Sequence, residues 1–214
     1  MWQANSGIVI HLRNSAEGAL TSTALIEKIS GGSMIYCAGG ARSFKMENGS
    51  KITDCPSLNG NVIFAQNCTV VIDGEISNVH ATGNHILQTD GGTAVTIGKN
   101  GRILNNRAYY GAVYINGTDE HLDIYGKING NISTDRGGGV VLSNNGGNHN
   151  AAMYEGAEIC NNKAEQTGGG TMISKGIFTM AVRSPATFPV QTVQKAKLTG
   201  SAAAYLSAEA ANSL

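Results

Sequence analysis

Charge and proline are both sparse: 15 Lys plus Arg, 15 Asp plus Glu and only 3 prolines in 214 residues. A net charge of zero leaves no cation excess to neutralise phosphates, which excludes nucleic acid as an expected partner. The scarcity of proline argues against a stiff or disordered linker, and 41% apolar residues argue against wholesale disorder. No stretch reaches 18 consecutive apolar residues, so no helical membrane span is expected. Residues 1–14 lack the basic start and apolar core of a secretory leader and read as an internal beginning. The four cysteines (Cys37, Cys55, Cys68 and Cys160) show no CxxC or Cys/His metal spacing. They read as buried free thiols, with one disulfide left open.

What the chain has instead is glycine, 29 residues, and asparagine, 21. These are the residues that tolerate left-handed backbone at tight turns. They recur on a period. The isoleucines at 52, 76, 103, 128 and 159 each follow a Gly-containing turn, with steps of 24, 27, 25 and 31 residues. The apolar anchors before them, Met46, Ile72, Ile97, Ile124, Met153 and Met180, step by 26, 25, 27, 29 and 27. A third series (Met34 to Tyr36, Val62 to Phe64, Ile86 and Leu87, Ala112 to Ile115, Val140 to Leu142, Met172 and Ile173) keeps the same spacing. Three series with one period define a structural repeat.

Within each short run the apolar residues alternate. Val70 and Ile72 take one face while Val71 takes the other, as in a half-buried strand. A single repeat cannot bury that face alone; stacking supplies the core. The sequence therefore predicts an all-β, right-handed single-stranded parallel β-helix. It has about six coils of roughly 27 residues, with three short strands per coil and coils about 4.8 Å apart. Asparagine follows the anchoring isoleucine by two or three positions (Asn78, Asn105 and Asn106, Asn131, Asn161 and Asn162, with Asp54 in the first copy). The row represented by Asn78, Asn105, Asn131 and Asn161 is expected to stack coil on coil as a structural ladder. The repeat domain is expected over 31–180, with residues 1–30 as a cap or degenerate first coil. Residues 181–214 are expected to form an irregular C-terminal cap or tail, with a short helix around Ala202 to Ala211.

Phrases such as Gly137-Gly138-Gly139-Val140-Val141-Leu142, Gly176-Ile177-Phe178-Thr179-Met180 and Gly126-Lys127-Ile128-Asn129-Gly130-Asn131 resemble the repeats of bacterial cell-surface adhesin-like β-helix proteins. These belong to the broad pectin-lyase-like superfamily and include polymorphic-membrane-protein-like repeats. The resemblance covers about residues 30–180. It implies a secreted or surface location and contact with a glycan or a host or cell-surface protein. It also implies a binding or spacer role, with polysaccharide lyase, glycoside hydrolase and phage tailspike as alternatives.

Chemistry is thin in the sequence. No catalytic residue and no cofactor is assigned, and whether the chain is an enzyme stays open, with the non-enzymatic reading preferred. Asp119, Glu120 and Asp123 are the nearest local carboxylate group to a calcium site, with Asp90 one coil away, and their other reading is a solvated loop. Tyr109, Tyr110, Tyr125 and Tyr154 fall at turns and are candidates for an exposed binding surface; their other reading is packing between coils.

Overall fold

The computed structural model describes residues 3–143, 145 and 149–180. These residues form a parallel β-solenoid: every paired strand is parallel, and each pairs with the equivalent strand one coil away. Face 1 runs through Gln3–Leu12, Ser30–Cys37, Ile63–Gln66, Leu87–Asp90, Val113–Ile115, Val140–Leu142 and Thr171–Ile173. Face 2 stacks Glu17–Leu20, Ser43–Met46, Thr69–Ile72, Ala94–Ile97, His121–Ile124, Asn150–Met153 and Ile177–Met180. Face 3 stacks Leu25–Glu27, Lys51–Thr53, Glu75–Ser77, Arg102–Leu104, Lys127–Asn129 and Glu158–Cys160. A small fourth sheet, not foreseen from the repeat, joins Arg107–Ala108, Ile132–Ser133 and Lys163–Ala164. Residues 3–27 supply one strand to each main face. The region expected to hold a C-terminal helix lies outside the described residues.

The isoleucine series forms one vertical row. Ile26, Ile52, Ile76, Ile103, Ile128 and Ile159 are successive register partners on face 3. Ile52, Ile76, Ile103 and Ile128 are fully buried, and each contributes about 2 kcal/mol by removal from water. On face 2, Val70 and Ile72 point inward and Val71 outward, and Leu122 and Ile124 repeat the pattern around Asp123. Alternation within each strand thus fixes which side chains meet at the axis, and parallel register carries that choice from coil to coil.

Part of the unevenness of the repeat arises at the corner between faces 2 and 3, while the longest step also contains the seven residues 143–149 between faces 1 and 2. Corners of four residues (21–24, 47–50, 98–101, 154–157) are interrupted by corners of two (73–74, 125–126). Glycine is obligatory where a short corner sits on a long one: a Cβ on Gly126 would land on the carbonyl oxygens of Gly101 and Gly98. The corner after face 3 uses left-handed backbone in every coil, at Lys28, Asp54, Asn78, Asn105, Gly130 and Asn161, with φ from 53° to 70°. Asn and Asp tolerate this region better than other side chains, and Gly without strain.

Of the four asparagines expected to form the ladder, Asn131 belongs to it, and Asn105 and Asn161 each precede a member by one position. Asn78 is followed by Val79, whose backbone N–H donates to Asn106 Oδ1 at 2.9 Å. Asn131 Nδ2 donates to Asn162 Oδ1 at 3.0 Å and to the Ile103 carbonyl at 2.9 Å. Asn106 Nδ2 donates likewise to Asn131 Oδ1 at 3.0 Å and to the Ile76 carbonyl at 3.0 Å. The row is therefore Asn106, Asn131 and Asn162. Asn78, Asn105 and Asn161 precede it, exposed and left-handed, as turn residues. Inward amides satisfy backbone groups that the turn removes from the sheets; outward ones supply the turn itself.

Candidate functional site

Among the described residues, an aromatic and amide group outside the axial core lies where the chain enters face 1, with His85 and Asn61 buried and the tyrosines partly exposed. His85 stacks on Tyr114 with ring centroids 4.5 Å apart and planes 10° apart. Tyr110 continues the cluster, 5.3 Å from Tyr114 and 5.8 Å from His85, and Tyr109 packs against Tyr110 at 4.5 Å. Register explains the assembly: Gln88 and Tyr114 are partners in adjacent coils on the outward row of face 1. That row continues through Tyr36 and Phe64, stacked at 4.7 Å. Tyr109 is 37% exposed, so the cluster ends at solvent.

Amides border the rings. Asn61 Nδ2 donates to Gln88 Oε1 at 2.9 Å, and the Asn61 Oδ1 accepts the His85 backbone N–H at 3.0 Å. Tyr114 donates its hydroxyl to Asn116 Oδ1 at 2.8 Å, which also accepts from Asn145 Nδ2 at 3.0 Å and Ser143 Oγ at 3.1 Å. Burial holds the His85 pKa down to about 4, so the imidazole is neutral at physiological pH and serves as a flat ring. Tyr110 and Asp135 beside Tyr109 hold its phenol protonated above the usual range.

Tyr125 and Tyr154 form a second, separate pair at the corner after face 2. Their rings are 4.2 Å apart and 10° from parallel. Tyr154 donates its hydroxyl to Asp123 Oδ1 at 3.0 Å, and His121 Nε2 lies 3.1 Å from the same oxygen. The four tyrosines noted in the sequence are thus divided between two corners. His85, Tyr114, Asn61, Gln88 and Asn116 were missed. Their signal was the period itself, since Gln88 and Tyr114 are 26 positions apart on the strand series.

The carboxylates 119, 120 and 123 do not converge. Asp119 is exposed with φ 54°, Asp123 faces outward toward His121 and Tyr154, and Glu120 points inward at 1% exposure. The direction of Glu120 overturns the solvated-loop reading of this turn for that residue. Among the described residues no group of three or more His, Cys, Asp or Glu side chains is placed to hold a metal ion. Cys37, Cys55 and Cys68 are buried free thiols, whereas Cys160 is free but exposed.

Among the described residues, no helix is long and apolar enough to cross a membrane. Comparison with family models, with curated proteins and with solved structures found no match. The architecture itself places the chain in a class: a repeat protein of the parallel β-solenoid type, carrying an aromatic and amide cluster on one outer corner.

Proposed function

We propose that this solenoid is a non-enzymatic, adhesin-like binding module of an extracellular or cell-surface protein, and that it binds a glycan at the His85–Tyr114–Tyr110–Tyr109 corner. The observation that carries the reading is the combination there of stacked rings with Asn and Gln side chains. A sugar ring offers apolar C–H faces to aromatic rings and hydroxyls to amides, so this mixture suits it. Neutral net charge and a rigid coil scaffold favour recognition of a neutral, repeating ligand over phosphate-rich partners. A hydrolase or lyase reading draws little support, because Glu120, whose pKa lies near neutrality, is enclosed where no substrate reaches it.

The test is a glycan array read with the wild-type chain and with a Tyr109→Ala/Tyr110→Ala variant. The wild type is expected to bind a defined glycan class. The variant is expected to lose about tenfold or more in affinity while keeping its β circular dichroism, as the loss of two aromatic platforms implies. Equal binding by the variant, or no glycan bound by the wild type, would remove this reading.

A further inference from the structure

The corner between faces 1 and 2 carries an inward file of side chains. Cys68, Thr93, Glu120 and His149 each precede an in-register residue of face 2 (Thr69, Ala94, His121 and Asn150). All four are buried, Glu120 to 1% and His149 to 0% exposure. Two consecutive members are ionisable. Glu120 Oε2 accepts the Thr89 hydroxyl at 2.8 Å and the Gly117 backbone N–H at 2.7 Å. His149 Nδ1 stands 3.8 Å from the same oxygen. Among the described residues Glu120 Oε1 and both His149 ring nitrogens make no well-formed hydrogen bond, although the backbones of Ser143 and Asn145 lie near the imidazole and that of Asn116 near the carboxyl. Buried polar atoms in native interiors are rarely left so, and three at one place call for an explanation.

We propose that Glu120 and His149 form a one-proton latch between neighbouring coils, stable while the pair holds a single proton and weakened when it holds none or two. With one proton the pair is either neutral or an ion pair, and its net charge is zero. With none, the interior holds a carboxylate met only by the Thr89 hydroxyl and the backbone at Gly117 and Asn116; with two, it holds an imidazolium facing a carboxylic acid. Either unpaired charge is costly in this setting. The charged groups facing the pair are Asp90 from the preceding coil, Asp119 on the same corner and Lys175 from the following coil. Asp90 disfavours ionisation of Glu120; Lys175 disfavours and Asp119 favours a charge on His149.

Burial, the largest cause, raises the Glu120 pKa to about 7, against the hydrogen bonds from Gly117 and Thr89. Burial likewise lowers that of His149. Glu120 is raised, so its contribution to stability is complete below its unfolded value of 4.5 and is lost as pH climbs through about 7. His149 is lowered, so its contribution is complete above 6.5 and is lost on acidification.

Two measurements test the latch. Thermal unfolding compares wild type with Glu120→Gln, which keeps an acceptor for Thr89 and Gly117 but cannot ionise. The melting temperature of the variant relative to wild type is expected to rise by about 5–10 °C between pH 5 and pH 8.5. The second measurement is a carboxyl-carbon NMR titration of Glu120 in wild type and in His149→Gln. The midpoint is expected near neutrality in wild type and higher in the variant, where no imidazole shares the proton. A melting difference independent of pH, a Glu120 midpoint in the ordinary carboxylate range, or a midpoint unmoved by His149→Gln would each overturn the latch.

Discussion

Replacing Asn131 by alanine is expected to destabilise the solenoid by about 3–5 kcal/mol, far more than the same change at neighbouring asparagines. Its side chain bridges three coils. The Nδ2 donates to the Ile103 carbonyl and to Asn162 Oδ1, while the Oδ1 accepts from both the backbone and the side chain of Asn106. Truncation leaves the Asn106 backbone N–H buried without its acceptor and removes one of the two acceptors of Asn106 Nδ2 as well as the donor to the Ile103 carbonyl. An unsatisfied buried group costs about 1–3 kcal/mol. Aspartate at this position does no better, since it lacks the donors for Ile103 and Asn162. Asn105→Gly, one position earlier in the preceding coil, is expected to lie within about 0.5 kcal/mol of wild type. Asn105 is exposed with φ 55°, a conformation glycine adopts freely. Denaturant titrations of the two variants separate the ladder residue from the turn residue.

Gly126→Ala is expected to be at least as damaging, by more than about 3 kcal/mol, for a steric reason. The added methyl would meet the Gly101 and Gly98 carbonyl oxygens and then the Gly101 carbonyl carbon at 3.1 Å. These are backbone atoms of the coil beneath, so no side chain can swing aside, and the two coils must part. The same corner donates Lys127 N to the Gly101 carbonyl at 2.9 Å, a coil-to-coil bond that separation would break. Two controls define the effect. Gly156→Ala meets nothing within 4 Å but has φ 85°, so it is expected to cost about 1 kcal/mol from backbone strain alone. Gly170→Ala, with open space and no positive φ, is expected to be neutral. Melting temperatures that rank Gly126 well below Gly156, and Gly156 below Gly170, check the expectation.

The solenoid was legible because its information is repeated. Ile52, Ile76, Ile103 and Ile128 state the same inward position four times, and alternation around Val71 and Asp123 states the face. The fourth sheet was missed because its strands are only two residues long, too short for alternation to register. The ladder's exact members were not legible because Asn105-Asn106 and Asn161-Asn162 are doublets; type alone does not say which member turns the chain and which points inward. Asn131, preceded by Gly130 at φ 70°, is the copy where the turn and the ladder use different residue types.

The candidate site was harder to read for a different reason. Tyr109 and Tyr110 stand out as adjacent aromatics at a turn, but His85 and Gln88 join them only through stacking of a coil 25 residues earlier. Nor did sequence distinguish Glu120 from Asp119. Both precede a strand, yet Glu120 holds the inward position shared by Cys68, Thr93 and His149, while Asp119 takes the left-handed turn. Alternation says nothing at corners, where the backbone leaves the β region, so polar residues there are assigned by coil-to-coil equivalence and not by pattern.

Everything about both corners follows from in-register stacking of parallel coils, and cysteine pairing on face 2 tests that most directly. Val71 and Thr96 are outward register partners in adjacent coils, whereas Asp123 lies one coil further. In a Cys160→Ser background, Val71→Cys with Thr96→Cys is expected to yield a native intrachain disulfide on mild oxidation, identified by peptide mapping. Neighbouring parallel strands about 4.8 Å apart lie within disulfide reach. Val71→Cys with Asp123→Cys is expected to stay reduced. Cross-linking of the second pair in preference to the first would contradict the stacked solenoid and both sites built on it.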